Sequence, residues 1–190
     1  RYSNFVFFWM AGRMVISGDN PYDPQAWLAQ HAEQGVSWRA DRVFPYPLPV
    51  ALLMTPLGLL PLNLAYVASQ LLSMTTVAAA AWLSLRAAAG ALGERLFLPL
   101  ALGLLFFGPV YLTVQIGALS ILSLAAIVGA LRLFEGRMHL AGGMALALLL
   151  LKPPQALPFL ILVGAWFAMT RTWRALLGMA LGSGLLLLSG

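Results

Sequence analysis

The chain has 190 residues, of which 61% are hydrophobic and only 9% are charged, and its mean hydropathy is +0.87. A soluble domain is about 25% charged and about half apolar, because it must keep a polar exterior. The composition therefore excludes an ordinary soluble domain and predicts an integral membrane protein.

Charge and cysteine content exclude several classes of site. The net charge of +5 contains no run of Lys or Arg, so we expect no nucleic-acid partner. The absence of Cys excludes disulfides, thiolate metal sites and cysteine nucleophiles. His31 and His139 are far apart in the sequence and form no metal motif. No metal site is predicted, and a requirement for a divalent cation stays open.

The first predicted element is a short helix near the start of the chain. Asn4 is a residue type that caps helices, apolar residues recur at helical spacing from Phe5 to Ile16, and Gly18 supplies a C-cap. The pattern predicts an amphipathic helix over residues 5–17, with an aromatic face that lies in the membrane interface.

Two more short helices are predicted before the first long apolar stretch. Asp23 and Pro24 have the N-cap and N1 residue types of a helix that ends at Gly35. A proline-rich segment follows, and then an apolar stretch between Pro49 and Pro61 that has 11 residues, 50–60, and is interrupted by Pro56. Because a membrane span needs about 20 residues, we predict an interfacial or re-entrant helix within residues 47–61.

Six apolar stretches follow, and the predicted fold class is all-α, a polytopic transmembrane helical bundle. Several stretches are short, and Pro99 and Pro109 are expected to kink one of them, which is typical of bundles around a water-filled cavity. We expect residues 1–61 to form a loop outside the bundle and residues 62–190 to form the bundle. Both ends of the sequence look cut. The stretches are residues 64–85, 96–114, 117–131, 138–151, 155–170 and 175–190.

The orientation is predicted from arginines in short loops, because Lys and Arg are enriched on the cytoplasmic side. Three arginine pairs alternate along the stretches, so all three can be cytoplasmic together. Residues 1–61 then lie on the extracytoplasmic face of a multi-pass protein of the plasma (inner) membrane. The pairs are Arg86 with Arg95, Arg132 with Arg137, and Arg171 with Arg174.

Lys152 is the main candidate for chemistry within the predicted bundle. It is the only cation between Arg137 and Arg171, and it follows an apolar stretch directly before two prolines. It either anchors the helix by snorkelling to the interface or binds a lipid-linked phosphate. Gln115, near the outer end of another helix, either binds a sugar hydroxyl or bonds a neighbouring helix.

The remaining candidates lie in the N-terminal segment. Asp23 could be a catalytic carboxylate, although its place before Pro24 favours the N-cap role. Asp19 lies in a turn, where Asp is favoured for backbone hydrogen bonding alone. Arg13 is either a headgroup anchor or a phosphate ligand. Asn4 has the ordinary interpretation of an N-cap.

Four motifs, taken in order, resemble glycosyltransferase family 87, a family of GT-C-type membrane enzymes. The first is an aromatic helix followed by a Gly-Asp-Asn-Pro-Tyr-Asp turn, the second is proline-rich, and the third and fourth surround Gln115 and Lys152. The motifs are Ser3-Asn4-Phe5 through Arg13 with Gly18 through Asp23, Phe44-Pro45-Tyr46-Pro47-Leu48-Pro49 with Pro56-Leu57 and Leu60-Pro61, Gln115–Leu122, and Leu151-Lys152-Pro153-Pro154-Gln155.

The resemblance implies a polyprenyl-phosphate-linked sugar donor, with a mannose-like sugar. It also implies a hydroxyl acceptor on a glycolipid, glycan or protein, and an active site that faces outward beside juxtamembrane helices. We expect Arg13 and Lys152 to converge near Asn4 around the donor phosphate. The residues expected to bind the acceptor or the sugar are Tyr46, Gln115 and Gln155.

Asn4 occupies the position of the family's aspartate, and an amide cannot accept a proton as a general base. Either another acid (Asp19, Asp23 or Asp41) takes that role, or the chain is catalytically altered. Two other functions stay open. A non-catalytic relative would bind the lipid carrier without transfer, and a transporter subunit would also use short, proline-broken helices. The sparse polar groups in the middle of the stretches favour the transferase.

Overall fold

The computed structural model describes residues 4–36, 42–117 and 119–188, and the regular elements among these residues are all helical. The all-α prediction is confirmed. The chain divides into two compact units, Arg1–Ser73 with Leu112–Ala118, and Met74–Tyr111 with Leu119–Gly190. The helices are α1 Phe5–Ser17, α2 Pro24–Glu33, α3 Leu48–Gly58, α4 Leu62–Phe106, α5 Gly108–Gln115, α6 Ser120–Glu135, α7 His139–Ala147 with a 3₁₀ turn Leu148–Leu151, α8 Pro153–Met169 and α9 Trp173–Leu188.

In the first unit, α1 and α3 touch backbone to backbone. A Cβ added at Gly12 would overlap the carbonyl of Met54, and one added at Gly58 would lie 2.6 Å from the backbone N of Arg13. Two glycines therefore permit an approach that any side chain would block. At 11 residues, about 16 Å, α3 is much shorter than the bilayer core of about 30 Å.

The ends of α1 agree with the sequence, but its environment does not. Gly18 ends the helix in the left-handed conformation, with φ +78°. All residues from Phe5 to Gly12 are buried, so α1 is a core helix and the predicted one-sided aromatic face is wrong. The reason is that other parts of the unit cover it: Trp27 of α2 stacks on Phe7, Phe44 packs on Phe8, and α3 lies along Gly12.

The second unit is organised around a parallel pair, α7 and α9. A Cβ at Gly178 would overlap the carbonyl oxygen of Leu140, and one at Gly143 would overlap that of Ala175. Four residues beyond Gly178, Gly182 packs against Met144 and Ala147. Small residues four apart are the usual means of close helix contact in membranes, where burial from water does not drive association.

The two ends of this unit differ in charge. Since α7 and α9 are parallel and in contact, the loops that precede them lie at the same end. These loops and the adjoining turns carry Arg132, Arg137, Arg171 and Arg174. Lys152 lies at the other end, where its Nζ donates to Ser120 Oγ at 3.1 Å. The alternation predicted for the last two arginine pairs agrees with this arrangement.

The predicted loop at Arg86 and Arg95 is wrong. Helix α4 runs unbroken from Leu62 to Phe106, because the sequence between the two arginines is rich in alanine and has no proline before Pro99, which outweighs its two glycines. The helix also continues through Pro99. It ends before Pro109, where the following helix turns away by 66°, so that one of the two expected kinks is confirmed.

The length of the helices limits how many of them could each cross a membrane. Among the described residues, Leu62–Arg86 is long and apolar enough to cross alone, and the bent pair Arg95–Phe106 with Gly108–Gln115 makes a second if it counts as one span. Helices α6, α8 and α9 have 16 or 17 residues, about 24–26 Å. The six-span bundle is not confirmed.

The glycine contact between α7 and α9 gives a test of the fold. We expect Gly178→Ala to destabilise the protein by about 1–3 kcal/mol, because the new methyl group must displace the backbone of Leu140. Gly184→Ala is the matched control on the same helix, where nothing lies within 4 Å of an added Cβ. Thermal unfolding in detergent measures both. Equal melting temperatures for the two variants would contradict the close contact.

Candidate functional site

Asn4 precedes the first residue of α1 but does not cap the helix with its side chain. Its backbone is already helical, with φ −75° and ψ −25°, and its side chain makes no capping hydrogen bond. The N-cap interpretation of Asn4 is therefore wrong for the side chain, because an N-cap residue normally has extended backbone angles that aim the side chain at the N2 and N3 amides. The half-buried amide of Asn4 needs another explanation.

The turn after α5 packs against the start of α1, directly beside Asn4. Gly117 has φ +66°, and a Cβ added there would lie 2.8 Å from Cβ of Phe5. Tyr66 connects the same elements: its hydroxyl donates to the carbonyl of Gln115 at 2.8 Å, and its ring packs edge-on against Phe5 with centroids 5.6 Å apart. The fold thus brings Gln115, whose side chain is exposed, close to the Asn4 end of α1.

Arg13 lies at the opposite end of α1. At 1.5 Å per residue, its Cα is about 13 Å from that of Asn4 along the helix axis. Its guanidinium lies over the Trp9 ring at 5.6 Å and donates to the carbonyl of Gly58 at 3.4 Å. Trp9 in turn donates to the carbonyl of Leu60 at 2.9 Å. Arg13 therefore helps to attach α1 to the end of α3, and its predicted meeting with Lys152, a residue of the other unit, stays a prediction.

The two described aspartates of this segment have structural partners. Asp23 accepts hydrogen bonds from the backbone N–H groups of Gln25 and Ala26 at 2.8 and 3.2 Å, so its N-cap role is confirmed. Asp19 accepts one hydrogen bond, from Gln30 Nε2 at 3.2 Å. Asp41 and Ala118 lie outside the described residues.

Tyr46 belongs to the aromatic cluster of the first unit. Its ring lies 5.0 Å from that of Phe8, and its carbonyl accepts the hydroxyl of Tyr22 at 2.7 Å. Burial raises the pKa of the Tyr22 hydroxyl. Gln155 lies in the first turn of α8, and its side chain is outside the described part of the chain.

Lys152 lines an apolar cavity of about 240 Å³ in the second unit. It connects the 3₁₀ turn after α7 to α8, and its hydrogen bond to Ser120 directs the ammonium toward the start of α6. The other lining residues are Ser123, Ile127, Leu149, Ala156 and Phe159. A half-buried ammonium beside an apolar surface can bind a ligand that has both an anionic and an apolar part.

Sequence reasoning missed two residues that organise these positions, Tyr66 and Ser120. Tyr66 contacts a residue 49 positions away, and Ser120 contacts one 32 positions away. Neither contact leaves a local signal in the sequence. A Ser at the start of an apolar helix and a Tyr near the end of a span have ordinary roles as cap and interface anchor.

The structure defines an all-helical protein with at least one helix long and apolar enough to cross a membrane, and the described candidate side chains Asn4, Gln115 and Lys152 lie at or beside helix termini. The model of glycosyltransferase family 87 matches residues 44–190, about three quarters of the chain, and the chain belongs to this family. The class of activity is therefore glycosyl transfer at a membrane. The match includes Tyr46, Gln115 and Lys152. Neither a curated protein nor a solved structure matches the chain.

The capping role of Asp23 predicts how its variants behave. Asn caps helices as well as Asp does, so we expect Asp23→Asn to keep both stability and transfer activity, whereas Asp23→Ala should lose about 0.5–2 kcal/mol of stability. Thermal unfolding and a transfer assay on the two variants measure this. A loss of transfer in Asp23→Asn at unchanged stability would instead make the carboxylate catalytic.

A buried histidine predicts a pH dependence of the first unit. The Nδ1–H of His31 donates to the carbonyl of Trp27 at 2.9 Å, while Nε2 has no partner among the described residues. Desolvation lowers the pKa of His31. The unfolded chain then binds a proton more readily, so stability falls as the pH drops below the unfolded pKa of about 6.5 toward the lower folded pKa. Unfolding between pH 8 and pH 5 should show a smaller decline for His31→Gln than for the wild type, and parallel curves would contradict the assignment.

Proposed function

We propose that the protein transfers a sugar, mannose-like, from a polyprenyl-phosphate donor to a hydroxyl acceptor on the extracytoplasmic face of the membrane. The observation that carries the proposal is the position of Lys152, a half-buried ammonium directed by Ser120 at the mouth of an apolar cavity. A polyprenyl phosphate has the matching chemistry, an anionic head on an apolar chain. A nucleotide sugar is polar throughout and lacks the apolar part.

In this proposal, Lys152 stabilises the phosphate that leaves when the sugar is transferred. As the bond between the sugar and the phosphate oxygen breaks, negative charge grows on the phosphate, so a fixed cation stabilises the transition state more than the ground state. The apolar lining around Lys152 strengthens this interaction, because it keeps the effective dielectric constant below that of water.

The charge distribution of the second unit supports the proposed side of the membrane. Four arginines gather at one end and Lys152 lies at the other, with α6, about 24 Å long, between them. If the arginine end is cytoplasmic, as the positive-inside rule favours, Lys152 faces outward. We propose a multi-pass protein whose short helices are accommodated by tilting or local bilayer thinning.

The acceptor part of the proposal rests on the first unit. Asp23 uses its carboxylate to cap α2, whereas Asp19 accepts a single hydrogen bond from Gln30 and retains accepting capacity. Of the two described aspartates, we therefore propose Asp19 as the base that accepts the proton of the acceptor hydroxyl. Tyr46 and Gln115, with Gln155 of the second unit, keep the proposed roles in binding the acceptor and the sugar.

The second unit fits a transporter subunit less well than it fits a transferase. Transporters place their substrate sites near the bilayer midplane. Here the charged groups of helices α6 to α9 lie at or near the helix ends, and the core between them is apolar, formed by residues such as Ala126, Leu146, Leu160 and Phe167. A non-catalytic relative would share these features, and Asn4 is the reason to test for it.

The donor role of Lys152 predicts the effect of removing its charge. A charge-assisted hydrogen bond contributes about 1.5–3 kcal/mol, so we expect Lys152→Ala to slow transfer from a polyprenyl-phosphate sugar roughly tenfold to a hundredfold. Arg174→Ala is the matched control, since it removes an exposed cation from the opposite end of the same unit. Wild-type rates in Lys152→Ala, with unchanged thermal stability, would contradict the role.

Asn4→Asp tests whether the chain is catalytically altered at the family's aspartate position. If Asp19 is the base, the carboxylate at position 4 should change the transfer rate little, and Asp19→Asn should abolish most of it. If Asn4→Asp instead raises the rate strongly, the proposed base is wrong and the wild-type chain lacks one at this position. Initial rates on the two single variants and the double variant separate these cases.

A further inference from the structure

Two side chains of α4 hold the last turn of α5. The hydroxyl of Tyr66 donates to the backbone carbonyl of Gln115, and Nε2 of Gln70 donates to that of Val114, both at 2.8 Å. Tyr66 and Gln70 are four residues apart and therefore lie on one face of α4. The two acceptors are consecutive carbonyls at the C-terminal end of α5. One helix thus fixes the end of the other by two directed hydrogen bonds, and we call the donors the Tyr66–Gln70 pair.

These hydrogen bonds matter because the last carbonyls of a helix have no partners within the helix itself. Both donors are half-buried, and they belong to the segment Leu62–Arg86, which is long and apolar enough to cross a membrane. In such surroundings little water competes for the carbonyls, and a backbone group without a partner is costly. The position of the pair on α4 therefore decides where α5 ends and the chain turns.

The turn after α5 is packed tightly against α1. The N–H of Gly117 donates to the carbonyl of Val114 at 3.0 Å, and Gly117 has φ +66°. A Cβ added at Gly117 would lie 2.8 Å from Cβ of Phe5, the first residue of α1. A shift of α5 by one residue, about 1.5 Å along its axis, would therefore either break this contact or push the turn into α1.

Two side-chain amides lie at this junction, those of Asn4 and Gln115. Asn4 directly precedes Phe5, and Gln115 lies two residues before Gly117. The side chain of Asn4 makes no capping hydrogen bond, and the side chain of Gln115 is exposed, so both amides are available to a ligand. A primary amide has two donors and an acceptor. The two amides together can therefore bind hydroxyl groups, which also donate and accept.

We propose that Tyr66 and Gln70 are positioning residues for the transfer reaction. They hold the backbone of α5 so that the amide of Gln115 stays beside that of Asn4, and the two amides bind hydroxyl groups of the acceptor. This inference rests on the proposed function, because it assigns the acceptor side of the same reaction.

Cross-linking tests the geometry without any turnover. The chain has no cysteine, so Asn4→Cys with Gln115→Cys supplies two thiols that a short bis-maleimide can join, and mass spectrometry of the digested protein measures the product. We expect rapid cross-linking in liposomes. Tyr66→Phe together with Gln70→Leu should slow it roughly fivefold or more, because the end of α5 is then no longer fixed. Tyr111→Phe is the matched control, since it removes the hydroxyl of a tyrosine of α5 that is 50% exposed.

The effect on transfer should appear in the KM for the acceptor. Tyr66→Phe keeps the ring that packs on Phe5, and Gln70→Leu keeps a side chain of similar size, so each removes little more than a hydrogen bond. The loss of one neutral hydrogen bond corresponds to a factor of roughly two to ten. We expect each variant to raise the acceptor KM by that factor, with kcat and the donor KM nearly unchanged. A general loss of folding would instead reduce the amount of active protein and lower the apparent kcat.

Wild-type acceptor KM in both single variants would overturn the positioning role, and these variants carry the test if the double variant does not insert. Cross-linking at the undiminished rate in the double variant would overturn it as well, even if sugar transfer is observed. Slow cross-linking in the double variant, with no transfer from any polyprenyl-phosphate donor by the wild type, would support the role of the pair in holding the turn and refute the proposed function. The two failures are therefore distinguishable.

Discussion

Close backbone contact at glycine is the constraint on which both units depend. In a membrane the surrounding lipid is as apolar as the side chains, so burial alone does not hold helices together and packing must do so. Gly12 and Gly58 let α1 and α3 touch, and Gly143 and Gly178 do the same for α7 and α9. Each contact also fixes where charged side chains lie. The first sets the end of α3 against Arg13, and the second aligns α7 with α9, so that the arginines lie at one end and Lys152 at the other.

Local signals in the sequence predicted local structure well. Gly18 ends α1, and Asp23 with Pro24 begins α2, because the capping interactions involve residues only two or three positions apart. The wrong predictions were made from charge or from the periodicity within a single helix. The loop at Arg86 and Arg95 was predicted from charge rather than from helix-breaking residues, and the chain continues as helix there. The all-round burial of α1 depends on α2, α3 and Phe44, which no periodicity within α1 can reveal.

The candidate site likewise contains residues that the sequence indicates and residues that only the fold reveals. Lys152 was identified because a lone cation in an apolar stretch is unusual, which is a property of the sequence itself. Its partner Ser120 and the cavity that Lys152 lines depend on how the fold brings α6, the turn after α7 and α8 together. The contact of Tyr66 with Gln115 likewise joins distant parts of the first unit. The sequence could therefore name several candidate site residues, but not the side chains that hold and orient them.

The central claim is that a lipid-linked sugar, rather than a nucleotide sugar, is the donor. The most direct measurement reconstitutes the purified protein in liposomes and supplies mannose with a labelled carbon either on polyprenyl phosphate or on a nucleotide diphosphate, each with a membrane extract as the source of hydroxyl acceptors. The account predicts labelled product, with release of polyprenyl phosphate, from the lipid-linked donor only. Transfer from the nucleotide sugar in the absence of the lipid-linked donor would contradict it.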